Sequence, residues 1–416
     1  MNLNIDKYFR TFRESKFILF YTLAEKLFFF FLFLIIARNY STEYYGQIIA
    51  LFTLANLIIL FFDFGLPILI QRELSISRNN ASKLLSLVLF ISLLSSVLYF
   101  AIVFFISGLF YPEVPGNLKI IILLLVYTYS LLSIFHRIFF ALSEYKIQFK
   151  LVFYIRTVII LLFVLFVVFV DVSLYIGLII LLLGNIVHIF FILFILNKRS
   201  INFHSKYLKV ENISNLLKLS VPIGFAVICN YMYDKIDLLM ISKMLDFNQV
   251  AFYNVGYGIY KASALAFTFF LISGFTKVSY LSRRTSAIKL FFKKYTLLLL
   301  MVSIFISVLF FFAAEFIVNT LYSIKYSNSV IVLKILSAAI IGMALNNLTG
   351  IVLNGLGLYK HNMLITIIAV LINIILNIIL IRYYGVIGAC IVTIITEYLI
   401  FCGGYFVLRK YLKKHL

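Results

Sequence analysis

The chain has 416 residues, of which 64% are hydrophobic and 12% are charged, and its mean hydropathy is +1.11. A soluble protein keeps about a quarter of its residues charged, so this composition excludes an ordinary soluble domain. The formal net charge of +21 would suit a nucleic-acid binder, but the basic residues stand between apolar segments and form no single patch. The composition therefore indicates an integral membrane protein with no nucleic-acid partner.

Twelve apolar segments follow one another along the chain, and a helix of about 20 such residues crosses the hydrocarbon core. They cover residues 16–37, 46–70, 84–110, 118–142, 147–170, 174–196, 215–242, 250–276, 291–314, 330–357, 361–381 and 385–408. Pro67 and Pro222 fall inside the second and seventh segments, where a proline bends a membrane helix. We predict an all-α integral membrane protein of about twelve transmembrane helices.

Basic residues are distributed unequally between the two sets of connecting segments. With the N-terminus placed inside, the cytoplasmic connections hold about 26 lysines and arginines and the opposite connections hold 6. Lysine and arginine concentrate on the cytoplasmic side of membrane proteins, so both termini are expected in the cytoplasm. The first apolar segment continues into Ala37-Arg38-Asn39 without a small-residue cleavage site, which predicts a retained helix instead of a signal peptide.

The longest polar connection, residues 197–214, lies near the middle of the chain with six apolar segments on each side. Weak similarity at half-chain spacing relates Glu25-Lys26 and Tyr44-Tyr45-Gly46 to Asp234-Lys235 and Phe252-Tyr253-Asn254. Internal repeats are common in transporters. We therefore predict two six-helix bundles, one over residues 1–200 and one over residues 201–416.

Patterns that carry catalysis are missing from the sequence. The chain has no glycine-rich phosphate loop with a lysine, no HExxH motif and no Ser/His/Asp set. Its cysteines, Cys229, Cys390 and Cys402, lie inside apolar segments without a CxxC or Cys/His cluster, which is typical of small buried residues. No connection is long enough for a nucleotide-binding domain. The sequence predicts a transport protein and not an enzyme, with no cofactor and no metal.

Ionisable residues interrupt the apolar segments. A charge in hydrocarbon costs several kcal/mol and usually faces a bundle interior, where it lines a pathway or pairs. The interior candidates are Lys26, Arg156, Lys235 and Lys261 against Glu25, Asp63, Asp234, Asp237 and Glu397. Interior lysines have little use in a carrier of organic cations, whereas lysine and arginine can hold a diphosphate through charge-assisted hydrogen bonds. We therefore expect an anionic head group.

Several of these residues have a structural alternative that the sequence leaves open. Lys235 and Arg156 could snorkel to a membrane surface, and Asp234 and Asp237 could hold a cation or neutralise a lysine. Glu397 could be a structural partner or a coupling carboxylate. We expect hydrogen-bonded contacts between helices from the remaining polar residues, with a proton relay as the alternative for His188. These are His188, Asn346, Asn347, Asn373 and Asn377.

Three tyrosines precede Lys261 at helical spacing. Tyr253, Tyr257 and Tyr260 stand at i, i+4 and i+7, so they share one face of a helix. Packing between helices and the aromatic belt at the membrane interface are alternative explanations of such a stripe. We expect the stripe to line the substrate path, where tyrosine rings would suit sugars.

Short motifs spread over nearly the whole chain resemble one transporter family. Ala37-Arg38, Tyr45-Gly46, Phe62–Pro67 and Gln71–Leu74 resemble the N-terminal pattern of the Wzx-type O-antigen and polysaccharide flippases. The segments that resemble its seventh and eighth helices and its eleventh–twelfth helix junction are Lys235–Ile241 with Val250–Tyr253, and Asn373, Asn377 with Tyr384–Ala389. The superfamily also contains the lipid II flippase and the multidrug-and-toxin exporters.

The resemblance implies two six-helix bundles around a central cavity that opens alternately to each side. In the lipid II branch, a charged pair in the first helix and a cation in the eighth line this cavity. Glu25-Lys26 and Lys261 fall at matching places, with the acid and base of the pair in reversed order. The substrate-binding candidates are Lys26, Lys261, Glu25, Lys235, Arg156, Tyr257 and Tyr260, and the coupling or structural carboxylates are Asp63, Asp237 and Glu397.

The resulting hypothesis is a flippase in the bacterial cytoplasmic (inner) membrane. It would move an undecaprenyl-diphosphate-linked oligosaccharide, an O-antigen or capsule repeat unit, from the cytoplasmic to the periplasmic leaflet by alternating access. The expected partners are this polyprenyl-diphosphate-linked glycan, membrane lipid and other polysaccharide-assembly membrane proteins, while coupling to H+ or Na+ is left open. The alternatives are a cation-coupled exporter of small organic cations and, third, a membrane glycan polymerase.

Overall fold

The computed structural model describes residues 5–170, 172–271, 274–281 and 285–414. Each of the twelve predicted apolar segments is helical along most of its described length, and the described residues contain no strand. The α-helices in chain order are α1 (Ile5–Asn39), α2 (Thr42–Asp63), α3 (Leu66–Ile76), α4 (Ala81–Phe110), α5 (Gly116–Ala141), α6 (Tyr145–Val164), α7 (Leu174–Lys198), α8 (Val210–Met244), α9 (Phe247–Ala262), α10 (Ala264–Leu271), α11 (Gly274–Leu281), α12 (Thr285–Tyr322), α13 (Ser329–Ser337), α14 (Ala339–Gly355), α15 (Tyr359–Tyr384) and α16 (Val386–Lys414).

Most of these helices are long and apolar enough to cross a membrane. Ten in the described ranges pass by length and composition, and α13 with α14, bent by 49°, makes an eleventh when the two count as one span. The predicted segment 250–276 is instead divided among α9, α10 and α11. The prediction of an all-α integral membrane fold is confirmed, while the orientation of the termini stays a prediction.

The second predicted segment is broken at a turn between α2 and α3. Gly65 adopts the left-handed conformation (φ 73°), and its N–H donates to the carboxylate of Asp63 at 2.9 Å. A Cβ on Gly65 would lie 2.5 Å from the backbone nitrogen of Gly224, so only glycine permits this close approach. Pro67 therefore lies in the first turn of α3, where proline is tolerated, and not inside a bent helix as the sequence suggested.

The chain forms two compact units. Unit 1 comprises Met1–Ser41 and Leu51–Ile228, and unit 2 comprises Thr42–Ala50 and Cys229–Leu416. The first turns of α2 join unit 2 because they contact α9: Thr42 bonds Asn248 at 2.5 Å, and Asn254 donates to the Tyr45 hydroxyl at 2.8 Å. The predicted boundary at residue 200 stays a prediction.

Unit 1 is built on α5, which packs against α3, α4, α6 and α7, while α1 packs against α6. Its core contains Leu69, Ile70, Val88, Phe135 and Phe139, all essentially buried. Large apolar side chains are exposed along the outer faces of α4, α6 and α7. Such faces are stable in lipid, where the hydrophobic effect does not penalise them.

In unit 2, α14 and α15 pack against α16, α12 packs against α14, and α9 packs against α13. Small residues allow α14 and α16 to approach closely, since a Cβ on Gly342 would lie 3.1 Å from the Cβ of Glu397. Asp246 caps α9 by accepting a 2.9 Å hydrogen bond from the backbone of Gln249. This packing fixes α9, α14 and α16 around the site described next.

Candidate functional site

An ionic network in unit 2 centres on Lys261, at the C-terminal end of α9. Its ammonium lies 2.7 Å from Oδ1 of Asp234 on α8 and 3.8 Å from Oε1 of Glu397 on α16. Lys235 contacts the other oxygen of Asp234 at 3.6 Å. Two cations therefore meet two carboxylates, and the formal charges of the network cancel.

The tyrosine stripe holds these carboxylates in place. Tyr257 donates to Oδ1 of Asp234 at 2.8 Å, and Tyr260 donates to Oε1 of Glu397 at 2.9 Å. The Lys261 ammonium lies 5.4 Å and 5.6 Å from the centres of the same two rings. Both tyrosines are buried, so the stripe supports the ionic network from the protein side and neither ring lines the cavity described next.

A polar cavity of about 350 Å³ opens beside Lys261. It lies between the central parts of α8, α14, α15 and α16, which are otherwise apolar helices. Glu397, only 1% exposed, enters its wall with Oε2 bound by the Asn346 amide at 2.9 Å. Its other lining residues are Asn230, Tyr233, Ala264, Met343, Asn346, Asn347, Gly350, Ile351, Asn354, Asn362, Thr366 and Ile400. Lys261 is the only lysine or arginine among the lining residues that the structure describes.

The amide groups give this cavity its chemistry. Five asparagines line it, and each amide carries two N–H donors and a carbonyl acceptor. Asn362 on α15 donates to Asn354 on α14 at 3.2 Å. A surface of paired donors and acceptors, with one ammonium and one carboxylate, suits a hydroxyl-rich ligand.

A second polar cluster in unit 2 surrounds Asp237, which is 3% exposed. Its carboxylate accepts hydrogen bonds from Tyr253 at 2.8 Å, Asn377 at 2.7 Å and Thr393 at 3.1 Å. The Asn377 amide also donates to Asn373 at 2.9 Å. Carboxylate and hydroxyl oxygens are ligand types that a small hard cation prefers, so Asp237 with Tyr253 and Thr393 fits a cation or a proton, while the Asn377 amide faces the carboxylate with its N–H donors.

In unit 1, the charged residues form an ion pair. Arg156, 4% exposed, lies 3.3 Å from Oε1 of Glu25 and donates to Oδ1 of Asn185 at 2.9 Å. Its guanidinium also lies 4.5 Å from the ring centre of Phe28. The suggestion that Arg156 snorkels to the surface is wrong, because the side chain is enclosed. Lys26, one residue after Glu25, is exposed and forms no ion pair in the described part of the chain.

The histidine His188 in unit 1 also differs from expectation. The His188 ring packs edge-on against His136, with the ring centres 5.1 Å apart. Both rings are buried, and neither nitrogen of either ring has a hydrogen-bond partner among the residues that the structure describes. The expected hydrogen-bonded contact of His188 is therefore a ring contact.

The structure brings together part of the predicted site. Lys261, Glu397, Tyr257, Tyr260 and Lys235 belong to one network in unit 2. Glu25 and Arg156 form a separate pair in unit 1, and Asp63 bonds the turn before α3. Whether any of these residues contacts substrate stays a prediction.

Sequence reasoning gave too little weight to the residues that complete the site. Asp234 is predicted, together with Asp237, to hold a cation or neutralise a lysine and is absent from the site candidates, yet it bonds both Lys261 and Tyr257. The sequence prediction assigns Asn347 to a contact between helices and makes no assignment for Asn354, although both line the cavity. Their spacing of seven residues, two helical turns, was the signal that places both on one face.

An all-α membrane protein with a polar cavity inside one of its helical units has the architecture of a membrane transporter. The chain belongs to the family described as polysaccharide biosynthesis protein, whose sequence model matches residues 12–275. A second family model, MatE, matches residues 222–379. The predicted membership among the polysaccharide flippases of this superfamily is confirmed.

Individual proteins are similar to this chain over nearly its whole length. An uncharacterized membrane protein of Methanocaldococcus jannaschii, MJ1375, is 24% identical over 97% of this chain and 99% of its own length. The lipid II flippase MurJ in an inward closed conformation matches with a TM-score of 0.75 and 18% identity, over 94% of this chain and 87% of its own.

Two multidrug transporter structures are also similar. An inward-facing transporter of the MATE family gives a TM-score of 0.72 at 14% identity, over 95% of this chain and 94% of its own. A mutant of the Vibrio cholerae MATE transporter VcmN gives a TM-score of 0.67 at 13% identity, over 97% of this chain and 96% of its own. At these identities the solved structures show that the fold is shared.

Proposed function

We propose that this protein is a flippase that moves a polyprenyl-diphosphate-linked oligosaccharide between the leaflets of the bacterial cytoplasmic membrane. The observation that carries the proposal is the polar cavity beside Lys261. A sugar presents many hydroxyls that both donate and accept, and the asparagine amides of the cavity match that requirement. The family description, polysaccharide biosynthesis protein, supports a glycan as the cargo.

The negative head group would bind by exchanging partners with the protein. In the structure Lys261 is held by Asp234 at 2.7 Å, so its ammonium is neutralised before substrate arrives. Asp234 is 36% exposed and can remain solvated when the ammonium turns to a phosphate. Lysine offers three rotatable donors on a flexible stem, and the movement needs only a change of side-chain rotamer.

The membrane potential would assist outward transfer. A diphosphate carries about two negative charges, and each gains roughly 2.3 kcal/mol per 100 mV on leaving a negative interior. The total of about 4–5 kcal/mol on that estimate favours the outer leaflet without any coupled ion. An additional coupling ion, Na+ or H+, would bind at the Asp237 carboxylate, beside the hydroxyl oxygens of Tyr253 and Thr393.

One observation favours a second function, the export of small organic cations. Asp234 and Glu397 bring two carboxylates to the single ammonium of Lys261, and an organic cation could displace that ammonium. The MATE transporters that share the fold are named as multidrug transporters. For this function the carboxylates would be essential and Lys261 dispensable.

Complementation separates the two functions. The protein is expressed in bacterial strains that lack their own polysaccharide flippase, and surface polysaccharide is measured with a lectin while ethidium accumulation is followed in the same cells. We expect wild type to restore the polysaccharide in a strain with a compatible glycan, K261Q to restore markedly less of it, and ethidium accumulation to stay unchanged. Ethidium export that requires Asp234 and Glu397 and survives K261Q would refute the flippase and support the exporter.

A further inference from the structure

A second cavity in unit 2 lies between the first turns of α12 and the last turns of α16. Its volume is about 650 Å³. Both helices pack against α14, and the space between them forms a slot. We call it the basic slot because four cations line it: Lys289, Lys293, Arg409 and Lys413. It shares no lining residue with the cavity beside Lys261.

The slot has a charged mouth and an apolar interior. From Lys289 to Leu300 it follows α12 for about 16 Å at 1.5 Å per residue. Below the cations, Phe292 stacks on Tyr405 with ring centres 6.0 Å apart. Beyond these rings, Leu297 and Leu300 line the inner part, and the apolar side chain of Leu297 is exposed. The slot is therefore open towards the acyl chains of a bilayer.

Among the described residues, no carboxylate compensates the charges at the mouth of the slot. No acidic residue lines the slot, and none of its four cations forms an ion pair in the described ranges 5–170, 172–271, 274–281 and 285–414. Halfway down, Thr296 has a buried hydroxyl with no hydrogen-bond partner among those residues. From the mouth inwards, the slot presents unpaired cations, then an unsatisfied hydroxyl, then an apolar inner part. A phospholipid has its phosphate, its glycerol esters and its acyl chains in the same order.

We propose that the basic slot binds one acidic glycerophospholipid of the surrounding bilayer. The phosphate diester would contact the cations, the glycerol esters would reach the Thr296 hydroxyl, and the acyl chains would lie along Leu297 and Leu300. Basic pockets between helices at the cytoplasmic side select acidic lipid head groups, and the charge pattern of the loops predicts that side for these helix ends. A zwitterionic lipid binds less tightly because its own cation opposes the cluster.

Neighbouring residues provide matched controls. Lys294 and Lys410 are exposed, adjacent in sequence to Lys293 and Arg409, and outside the slot. General attraction of basic helix ends to acidic lipid would depend on all four residues equally. Of the four residues in this comparison, a specific site depends only on Lys293 and Arg409, which line the slot. The comparison of K293Q/R409Q with K294Q/K410Q therefore removes the same charge from the same turns in both proteins.

The experiment is native mass spectrometry of the full chain titrated with dioleoyl phosphatidylglycerol or dioleoyl phosphatidylcholine. We expect one phosphatidylglycerol retained per wild-type chain and an affinity loss of about 30-fold in K293Q/R409Q. K294Q/K410Q should keep its affinity within about twofold. Leu300→Trp, which fills the slot and keeps every charge, should also lose the lipid, while Leu309→Trp on the exposed face of α12 should not.

Several results would overturn the proposal. An equal loss of phosphatidylglycerol affinity in both double variants would mean that the lipid is attracted by the general positive charge of the helix ends. Equal retention of phosphatidylcholine would show that the slot does not select acidic lipid. Displacement of the lipid by inorganic phosphate would indicate a plain anion site. Displacement by a polyprenyl diphosphate at equal concentration would assign the slot to the transported substrate. Thermal unfolding of each variant confirms that a lost lipid does not reflect a lost fold.

Discussion

Replacing Lys261 with glutamine removes the ammonium from the polar cavity and leaves its walls intact. Glu397 keeps its hydrogen bonds from Tyr260 and Asn346, and Asp234 keeps those of Tyr257 and its contact with Lys235. The fold should therefore survive the change. A hydrogen bond to a charged group contributes about 1.5–3 kcal/mol, and release of Lys261 from Asp234 offsets part of it. We expect a net loss of about 1.5 kcal/mol, which is roughly tenfold in affinity.

Lys235→Gln is the matched control for this change. Lys235 contacts the same Asp234 and stands 4.9 Å from the same Tyr257 ring, but it does not line the cavity. Its removal should change affinity by less than about twofold. Binding of a short-chain polyprenyl-diphosphate oligosaccharide to purified protein is measured by isothermal titration. Equal losses in K235Q and K261Q, or unchanged binding in K261Q, would refute the assignment of Lys261.

Three further predictions concern other parts of the molecule. Gly65→Ala should lower the thermal unfolding temperature sharply, because Gly65 has φ 73° and an added Cβ would lie 2.5 Å from backbone. Gly116→Ala is the control: an added Cβ there meets nothing within 4 Å, so its unfolding temperature should stay near that of wild type. Glu25→Gln should destabilise by about 3 kcal/mol because the buried Arg156 loses its charge partner; in unfolding assays E25Q/R156Q should lose less than the sum of the single changes. Asp237→Asn should leave substrate binding intact but abolish any dependence of transport on Na+ or pH, measured in vesicles with imposed gradients.

The helices could be predicted from the sequence because each depends on a local property, a run of apolar residues long enough to cross hydrocarbon. The breaks between helices could not be predicted in this way. The turn at Gly65 depends on the approach of Gly224, which lies far along the chain. The break at Ser263 divides the segment 250–276, separates α9 from α10 and leaves Lys261 at a helix end. No proline in this segment indicates the break.

For the candidate site, the sequence predicted which types of residue are present but not which residues pair with each other. Charges inside apolar segments indicated a polar interior, and Lys261 and Glu397 do meet there. Pairing is a tertiary property, so the sequence could not show that Arg156 is enclosed with Glu25, 131 residues away, or that Asp234 neutralises Lys261. Arg156, Lys235 and Lys261 are paired, and the pairing of Lys261 changes the proposed binding step from simple attraction to an exchange of partners.

The central claim is that the protein itself carries a lipid-linked oligosaccharide across a bilayer. The most direct test reconstitutes the purified chain in liposomes that hold a fluorescent undecaprenyl-diphosphate oligosaccharide in both leaflets, and follows its accessibility to an added glycosidase. In protein-free liposomes only the outer-leaflet half is cleaved. The account predicts that wild type makes the whole pool accessible within minutes and that K261Q slows this transfer. Cleavage that stops at one half with wild-type protein would contradict it.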